Sequence, residues 1–355
     1  MPPLADRLAK RTLELVNIPS ESRHESEIAA YVADALDWRP TWRSGETLWY
    51  DAGVGTRPLI VLAGHLDTVP SQQNVPGRLS DDAVVGLGAS DMKGGLAVMI
   101  EIARAWADLR TTPEHDLAFL FFPREELPAS ESALPEFFDS VQRVHEAALA
   151  ILLEPTDVTI QAGCLGNLNA LFHFHGVSGH SARPWTAENA IEKALEGLRP
   201  IAAIEPRPVE LGGLKFTEVV SLTQIQGGIA SNVIPDRVTA NVNFRYAPDR
   251  SPSSAEAYLR SLMPSGATYE EAGDSPPARV VTDSPLVQRL RATSDLALEP
   301  KQAWTNVADF TSRGIDAVNF GPGATRYAHR RDEQVEIAAL ERCFVSLWDF
   351  LTGSV

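Results

Sequence analysis

The chain has little cysteine, a deficit of positive charge and no long apolar run. Its 355 residues include only two cysteines, Cys164 and Cys343, which excludes a disulfide scaffold and a cysteine-rich zinc or iron–sulfur module. Lys and Arg number 31 against 47 Asp and Glu, so the formal net charge is -16. Nucleic acids and anionic membranes bind clustered cations, so this balance argues against both as partners.

The first residues of the chain and its apolar runs indicate in which cellular compartment the protein is expected. The first 20 residues lack the apolar core and the small-residue cleavage site of a signal peptide. The longest apolar runs are too short and too interrupted to span a bilayer. We therefore expect a cytoplasmic protein with no membrane segment.

The length predicts two domains, at about 150 residues per domain. In residues 1–165 and 278–355, short apolar runs alternate with helical periodicity, which is typical of an α/β domain with a mostly parallel sheet. Residues 166–277 follow the order strand, helix, strand, strand, helix, strand. That order indicates an inserted ferredoxin-like α+β domain.

Imidazole and carboxylate side chains follow the predicted strands at 59–63, 84–88, 117–122, 147–153 and 317–320. In an open α/β sheet, ligands bind at the carboxyl ends of the strands. We therefore expect these side chains to lie close together. In chain order they are His65, Asp67, Asp91, Glu125, Glu126, Glu154 and His329.

Each of these residues, taken alone, also has an ordinary explanation. A His-x-Asp pair is common in turns, Asp91 suits a helix N-cap, and a Glu pair is common surface charge. Spacing favours a functional interpretation, because residues two apart in an extended segment share a face. His65 could then bind a metal while Asp67 accepts its other N–H. Adjacent extended residues face opposite ways, which predicts different roles for Glu125 and Glu126.

The chemistry of the set points to metal ions. Imidazole and carboxylate ligands suit zinc, cobalt or manganese. Two histidines and three carboxylates suffice for two ions if one carboxylate bridges them. Two metals about 3.5–4 Å apart can share a water, lower its pKa towards about 7 and polarise a carbonyl, as amide hydrolysis requires. The Gly-rich turn at 86–91 resembles a dinucleotide-binding fingerprint, but it lacks the last glycine and its context is not a first βαβ turn.

The motifs together resemble a known family. They are GHLDTVP at 64–70, the Gly-rich turn continuing into DMKGG at 91–95, Glu125-Glu126, Glu154-Pro155 and the late His329. The family is that of the dinuclear zinc amidohydrolases and exopeptidases, which includes succinyl-diaminopimelate desuccinylase, acetylornithine deacetylase, aminoacylase and carboxypeptidase G. The resemblance covers essentially the whole chain. It implies a zinc-exopeptidase-like catalytic domain and an inserted lid domain used for dimerisation.

The resemblance implies a role for each candidate. One zinc ion would be held by His65, Asp91 and Glu154, and a second by Asp91, Glu126 and His329, with Asp91 bridging. Glu125 would be the general base, taking a proton from the bridging water and passing it to the leaving amine, and Asp67 would orient His65. Two Zn²⁺ per subunit are implied, for which Co²⁺ or Mn²⁺ can substitute. A cis peptide bond between Asp91 and Met92 is also implied.

The inserted domain supplies further candidates by resemblance. GHSARP at 179–184 resembles the segment whose histidine, here His180, reaches the partner subunit's active site and stabilises the oxyanion. A homodimer follows from that role. Asn232 and Arg245 resemble residues that bind the substrate carboxylate or the oxyanion, and the guanidinium of Arg183 is suited to gripping a carboxylate. Without the resemblance, these are an ordinary loop histidine, a turn asparagine and surface arginines.

A finer resemblance is to the succinyl-diaminopimelate desuccinylases of high-GC Gram-positive bacteria. It is carried by EPT at 154–156, QAGCLG at 161–166, GHSARPW at 179–185, FRYAPDR at 244–250 and NFGPG at 319–323. Thr305 lies in a stretch that loosely matches the family's substrate-contacting turn. The Glu pair is followed by Leu127-Pro128, where the family usually has glycine.

The expected reaction is hydrolysis of N-succinyl-LL-2,6-diaminopimelate to succinate and LL-diaminopimelate, a step of lysine and diaminopimelate biosynthesis. Three alternatives stay open at this point. They are another N-acyl-amino-acid deacylase similar to acetylornithine deacetylase, a dipeptidase, and a catalytically inactive dimeric binding protein. A small-molecule acyl-amino acid is the expected substrate. The sequence separates the deacylases from one another poorly, because an additional methylene or carboxylate on the substrate changes only a few pocket residues.

Overall fold

A computed structural model describes residues 2–53, 55–110 and 112–353. The chain forms two compact units. Unit 1 comprises Met1–Ala162, Val281–Glu299 and Asp309–Val355, and unit 2 comprises Gly163–Val280 and Pro300–Ala308. None of the described helices is both long and apolar enough to cross a membrane.

The helices and strands of both units follow in chain order. The α-helices are α1 (Leu4–Val16), α2 (Ser26–Ala35), α3 (Gly94–Ala107), α4 (Leu134–Ser140), α5 (Ala190–Ala202), α6 (Pro252–Ser261), α7 (Pro285–Thr293), α8 (Val307–Thr311) and α9 (Ile337–Thr352). The first nine strands are β1 (Trp42–Ser44), β2 (Thr47–Asp51), β3 (Leu59–His65), β4 (Arg78–Leu79), β5 (Ala83–Val85), β6 (Asp116–Phe122), β7 (Ala147–Leu152), β8 (Ile160–Ala162) and β9 (Gly166–His175). The others are β10 (Gly179–His180), β11 (Arg207–Leu211), β12 (Leu214–Gly227), β13 (Val233–Ile234), β14 (Arg237–Tyr246), β15 (Ala267–Ser275), β16 (Leu298–Pro300), β17 (Ala317–Asn319) and β18 (Gln334–Glu336).

The main sheet has eight strands in the order β1-β2-β6-β3-β7-β17-β8-β16. Strand β3 pairs in parallel with both β6 and β7, and β17 pairs in parallel with β7. Every residue of β3 and β6 is buried, which is typical of parallel strands covered on both faces. The α/β class predicted from the sequence is thus confirmed. Antiparallel strands extend the parallel centre of the sheet on both sides. On one side β2 pairs with β6, and on the other β8 pairs with β17, both antiparallel.

One predicted strand of this sheet lies elsewhere. The short segment at 84–88 is represented by β5, which belongs to a separate three-stranded sheet of order β18-β5-β4. Its neighbours pair with it in antiparallel sense. The prediction that the main sheet includes this segment is therefore wrong, because a run of three residues is too short to distinguish a central strand from a small local ribbon.

Unit 2 is built on a five-stranded antiparallel sheet of order β11-β12-β14-β9-β15. Along β9, buried and half-exposed residues alternate, so Phe172 and Phe174 join an apolar cluster that also includes Ala194 of α5 and Leu259 of α6. Leaving out the edge strand β11, the order β12-β14-β9-β15 and the two helices give the ferredoxin-like arrangement.

The main segment of unit 2 extends three residues beyond each end of the predicted 166–277, and a second segment joins it. The segment 300–308, which includes Thr305, groups with unit 2 rather than with unit 1. The Gln302 side chain bonds to both main-chain groups of Thr217, at 3.0 and 3.2 Å. The Cys164 thiol also lies 3.8 Å from the Thr305 carbonyl oxygen. These contacts are long-range in sequence, so composition and periodicity do not predict them.

Candidate metal centre

Three parallel strands of unit 1 deliver side chains to one edge of the main sheet. Strand β3 ends at His65, which is in register with Phe122 at the end of β6. The chain after β6 turns at once and carries Glu125 and Glu126, and the chain after β7 carries Glu154. Because the strands are parallel, their carboxyl ends lie together, and the apolar runs that define the strands position the site.

Two further segments complete the group. Asp91 stands in the turn that precedes α3, and the Asp91–Met92 peptide bond is cis, as the resemblance implied. His329 follows the short turn at 325–327 and has a left-handed backbone, with φ of 59°. A non-glycine residue in this region is uncommon and is often found at functional sites.

Close packing of main chains brings the Asp91 segment to the strand ends. A Cβ atom on Gly95, in the first turn of α3, would lie 2.5 Å from the Leu153 carbonyl oxygen. A Cβ atom on Gly323 would lie 2.1 Å from the Ser90 carbonyl oxygen. Only glycine permits both approaches. Gly95 thus sets the spacing between the segments that carry Asp91 and Glu154, and Gly323 sets the spacing between the Asp91 segment and the loop that leads to His329.

The imidazoles and carboxylates converge. His65 Nε2 lies 3.1 Å from Asp91 Oδ1 and 3.9 Å from Glu154 Oε1. His329 Nε2 lies 2.9 Å from Glu126 Oε1 and 3.5 Å from Asp91 Oδ2. Within the described residues, ligand atoms lie within 4.8 Å of one another in three sets: His65, Asp91 and Glu154; Asp91, Glu126 and His329; and His65, Glu125 and Glu126. The first two sets share Asp91 and have the composition that the resemblance implied for two ions.

The electrostatics of the cluster fit bound cations. Burial lowers the pKa of His65, but hydrogen bonding to Asp67 and Asp91 and nearby carboxylate charge outweigh burial and raise this pKa well above its usual range. The bond to Glu126 raises the pKa of His329 to about 9. The imidazoles therefore hold protons because negative charge surrounds them. Metal ions compete with protons for such ligands, and a mixed imidazole and carboxylate set suits divalent transition metals.

The carboxyl group of Glu125 is strongly perturbed by its surroundings. Burial raises its pKa well above the usual range, and the charges of Glu154, Glu126 and Asp91 add to the effect, while His65 opposes it. A carboxyl group that binds a proton readily in this setting has the property expected of a general base.

The carboxylate of Asp67 lies closer to the main chain of the Glu pair than to the His65 ring. Its two carboxylate oxygens accept hydrogen bonds from the main-chain N–H groups of Glu125, at 2.9 Å, and Glu126, at 3.1 Å. The Nδ1 atom of His65 lies 3.0 Å from the main-chain oxygen of Asp67 and 3.6 Å from its carboxylate. The main-chain oxygen of Asp67 is therefore the closer contact of His65 Nδ1, and orientation of His65 by the Asp67 carboxylate stays a prediction.

Glu125 and Glu126 lie in a turn, not in an extended segment as the sequence argument assumed. The preceding residue, Arg124, is left-handed with φ of 63°, and its N–H donates to Glu25 Oε1 at 3.2 Å. The Asp67 carboxylate then holds the next two N–H groups. The different positions of the two Glu side chains come from this turn rather than from strand alternation.

Two supporting residues were not predicted. Ser22 Oγ donates to Asp67 Oδ2 at 2.7 Å. The carboxylate of Glu333 accepts hydrogen bonds from the N–H groups of Gly88, Ser90 and Asp91. Sequence motifs assign no role to Glu333. Its acidic side chain, four residues beyond a candidate ligand, is the only sequence signal for its position.

Unit 2 brings some of its predicted residues together. Strand β10 pairs with β13, so His180 lies opposite Val233, and the Ser181 N–H donates to the Asn232 carbonyl oxygen at 3.0 Å. His180 is exposed, and its Nδ1 accepts the Ala182 N–H at 3.1 Å. This bond requires an unprotonated Nδ1, so a neutral His180 carries its proton on Nε2.

The other three predicted residues of unit 2 are in different settings. Arg183, three residues after His180, is exposed. Arg245 on β14 is half-buried, burial lowers the pKa of its guanidinium, and it forms no ion pair with any residue that the structure describes. Thr305 is buried beside Cys164. The desolvated guanidinium of Arg245, which has no carboxylate partner among the described residues, is suited to an anionic ligand.

Sequence comparison decides the family. The model of peptidase family M20/M25/M40 matches residues 61–352. The chain belongs to this family. The motif resemblance is thereby confirmed, and this M20 chain is a hydrolase that uses divalent metal.

Named relatives and solved structures agree with this family. A succinyl-diaminopimelate desuccinylase of Corynebacterium glutamicum is 35% identical over 357 residues, covering 96% of this M20 chain and 95% of the relative. A Mycobacterium tuberculosis protein provisionally named as the same enzyme is 35% identical over 347 residues, covering 96% and 97%. A Staphylococcus aureus tripeptidase superposes with a TM-score of 0.80 at 18% identity, covering 98% of both chains. A Sulfolobus solfataricus M20 family metallo-carboxypeptidase gives 0.76 at 17% identity, covering 98% and 99%. The structural likenesses show the fold.

Proposed function

We propose that the protein hydrolyses N-succinyl-LL-2,6-diaminopimelate to succinate and LL-diaminopimelate. The observation that carries the proposal is the convergence of two imidazoles and four carboxylates into three overlapping ligand sets. The substrate is inferred from the C. glutamicum relative, which is named for this reaction and aligned over nearly its whole length. The reaction is a cytoplasmic step of lysine and diaminopimelate biosynthesis.

The proposed metal ligands are His65, Asp91 and Glu154 for one zinc ion and Asp91, Glu126 and His329 for the other. Divalent ions held there would acidify a water and polarise the amide carbonyl. The observed sets support this assignment, because each places one imidazole and two carboxylates within 4.8 Å. Co²⁺ and Mn²⁺ accept the same ligand types and are proposed to substitute for zinc.

Glu125 is the proposed general base. Its raised pKa lets the carboxylate take the proton of the attacking water and then return it to the nitrogen of the leaving amine. Asp67 holds the turn that carries Glu125 through the hydrogen bonds from the two main-chain N–H groups.

In unit 2, His180 is the proposed oxyanion donor, acting at the active site of the other subunit of a homodimer. Its Nε2–H is available because Nδ1 is engaged by the Ala182 N–H. Arg245 is proposed to bind a substrate carboxylate, since its half-buried guanidinium lacks an ion pair within the described chain. Asn232, Arg183 and Thr305 are further proposed substrate contacts. On a protein of net charge -16, an anionic substrate requires such local cations.

The proposal is tested by assaying protein that has been stripped with a chelator and then titrated with zinc. N-succinyl-LL-2,6-diaminopimelate and N-acetylornithine are assayed side by side, and the bound zinc is measured at each point. We expect hydrolysis of the succinyl substrate to return as about two zinc ions bind per subunit. Zinc-dependent hydrolysis of acetylornithine alone would refute the substrate and keep the chemistry. Zinc binding with no hydrolysis of either compound would refute the proposed function.

A further inference from the structure

The Gly-rich turn at 86–91 presents several main-chain N–H groups to one side. Gly88 is left-handed, with φ of 76°. The N–H groups of Gly88, Ser90 and Asp91 converge on the carboxylate of Glu333, at 2.8, 3.0 and 2.9 Å. Converging N–H groups of this kind form an anion-binding concavity. In this protein, a carboxylate of the same chain fills it.

Both oxygens of Glu333 are engaged, Oε2 by Gly88 and Oε1 by Ser90 and Asp91. The residue is 1% exposed, so in the native protein these bonds are shielded from bulk water. Removing the carboxylate would leave three buried donors without their acceptor, which is the costly way to lose a hydrogen bond.

Glu333 also ties two ligand-bearing segments to each other. It follows His329 by four residues, and its main-chain oxygen accepts the Gly86 N–H at 2.9 Å. The next residues form β18, which pairs with β5 just before the turn, with Gln334 opposite Val85. The segment that carries His329 is therefore anchored to the segment that carries Asp91. The two side chains meet with His329 Nε2 3.5 Å from Asp91 Oδ2.

We propose that Glu333 is a positioning residue that fixes Asp91 and His329 for metal binding by filling the anion-binding concavity of the 86–91 turn. This inference rests on the proposed function, in which both residues are metal ligands. Glu333 is not proposed to coordinate a metal ion or to contact substrate. It acts through its hydrogen bonds to the main chain of the turn. Groups that orient metal ligands from outside the coordination sphere typically change metal affinity by about 10–100-fold when they are removed.

The test is zinc binding by metal-free protein, measured by isothermal titration calorimetry for wild type, Glu333→Ala and Glu333→Gln. We expect Glu333→Ala to weaken at least one zinc site by about 10–100-fold. Glu333→Gln keeps one acceptor oxygen for Ser90 and Asp91 but presents its NH₂ group to Gly88, so an intermediate loss is expected. The matched control is Asp332→Ala, which removes a carboxylate from the adjacent exposed residue, whose ion-pair partner among the residues described in the structure is the exposed Arg330. It should bind zinc as wild type does.

Chemical rescue gives a second readout that general destabilisation would not produce. Formate added to Glu333→Ala would supply a carboxylate to the three N–H groups, so the zinc affinity should rise towards wild type. Wild type and Asp332→Ala, titrated in the same buffer, should not respond. These readouts measure zinc binding and do not depend on turnover.

Two results would overturn the inference. One is wild-type zinc affinity in folded Glu333→Ala. If that variant does not fold, the isosteric Glu333→Gln decides, and wild-type affinity in it would overturn the inference equally. The other result is wild-type protein that binds no zinc, which would refute the proposed metal site and, with it, this role of Glu333. That outcome is distinguishable from equal binding by wild type and variant.

Discussion

The turn that carries Glu125 and Glu126 depends on one carboxylate, so Asp67→Asn is expected to lower activity while preserving the shape of the side chain. In the native protein, one oxygen of Asp67 accepts the Glu125 N–H and the other accepts the Glu126 N–H. Asparagine has one carboxamide oxygen, so in either orientation one of these donors faces an NH₂ group. The loss is one hydrogen bond to a charged acceptor, which contributes about 1.5–3 kcal/mol.

That free energy sets the size of the expected effect. If it is lost from the catalytically competent turn, kcat/KM falls by about 10- to 150-fold, at about 1.36 kcal/mol per factor of ten. The assay is the initial rate of N-succinyl-LL-2,6-diaminopimelate hydrolysis at saturating zinc. Circular dichroism and bound zinc are measured on the same samples, so that a folding defect is recognised.

Ser22→Ala is the matched control. Ser22 Oγ donates to Asp67 Oδ2 at 2.7 Å, and its removal leaves both main-chain N–H groups bonded to Asp67. We expect a smaller loss of kcat/KM than for Asp67→Asn. A folded Asp67→Asn protein within about twofold of the wild-type kcat/KM would refute the argument, and so would a Ser22→Ala protein that loses as much as Asp67→Asn.

Three other predictions follow from the site. Glu125→Gln should retain zinc and lose about 10²–10⁴-fold in kcat, and retained kcat would contradict its role as base. His180→Ala should lower kcat by about 10²–10³-fold with unchanged zinc binding, measured by turnover and calorimetry, and unchanged turnover would exclude the oxyanion role. Gly323→Ala places a Cβ atom 2.1 Å from the Ser90 carbonyl oxygen, so it should lower the Tm and weaken zinc binding. Gly213→Ala strains a left-handed residue of unit 2, with φ of 77°, but its Cβ would meet no atom within 4 Å, so it should leave zinc binding unchanged.

Much of the catalytic unit is predictable because buried parallel strands have a clear sequence signature. The run LIVLA at 59–63 lies within β3, and a continuous apolar run of this kind can only be satisfied between two covered layers. Polar residues directly after such a run lie at the carboxyl edge of the sheet. His65 and Glu154 could therefore be placed beside each other before their distance was known.

The parts that could not be predicted depend on the main chain. Strand alternation gave different positions for Glu125 and Glu126, but a left-handed Arg124 and a turn produce them. Spacing placed the Asp67 carboxylate near His65, where it lies at 3.6 Å, but it did not reveal the closer contact, at 3.0 Å, to the main-chain carbonyl of Asp67. Side-chain type indicates which chemistry a residue can perform. It does not indicate whether its partner is another side chain or a peptide group, because every residue offers the same peptide group.

The turn at 86–91 is a second case in which the sequence indicates the chemistry but not the binding partner. Its glycines suggest a phosphate-binding motif because a Gly-rich turn can point several N–H groups at an anion, and that physical property is present here. The anion is the carboxylate of Glu333, more than 200 residues later in the chain. A local motif therefore predicts that a negative charge is bound, and only the tertiary fold decides whether it comes from a ligand or from the protein. In this enzyme the internal carboxylate leaves the turn free to position Asp91.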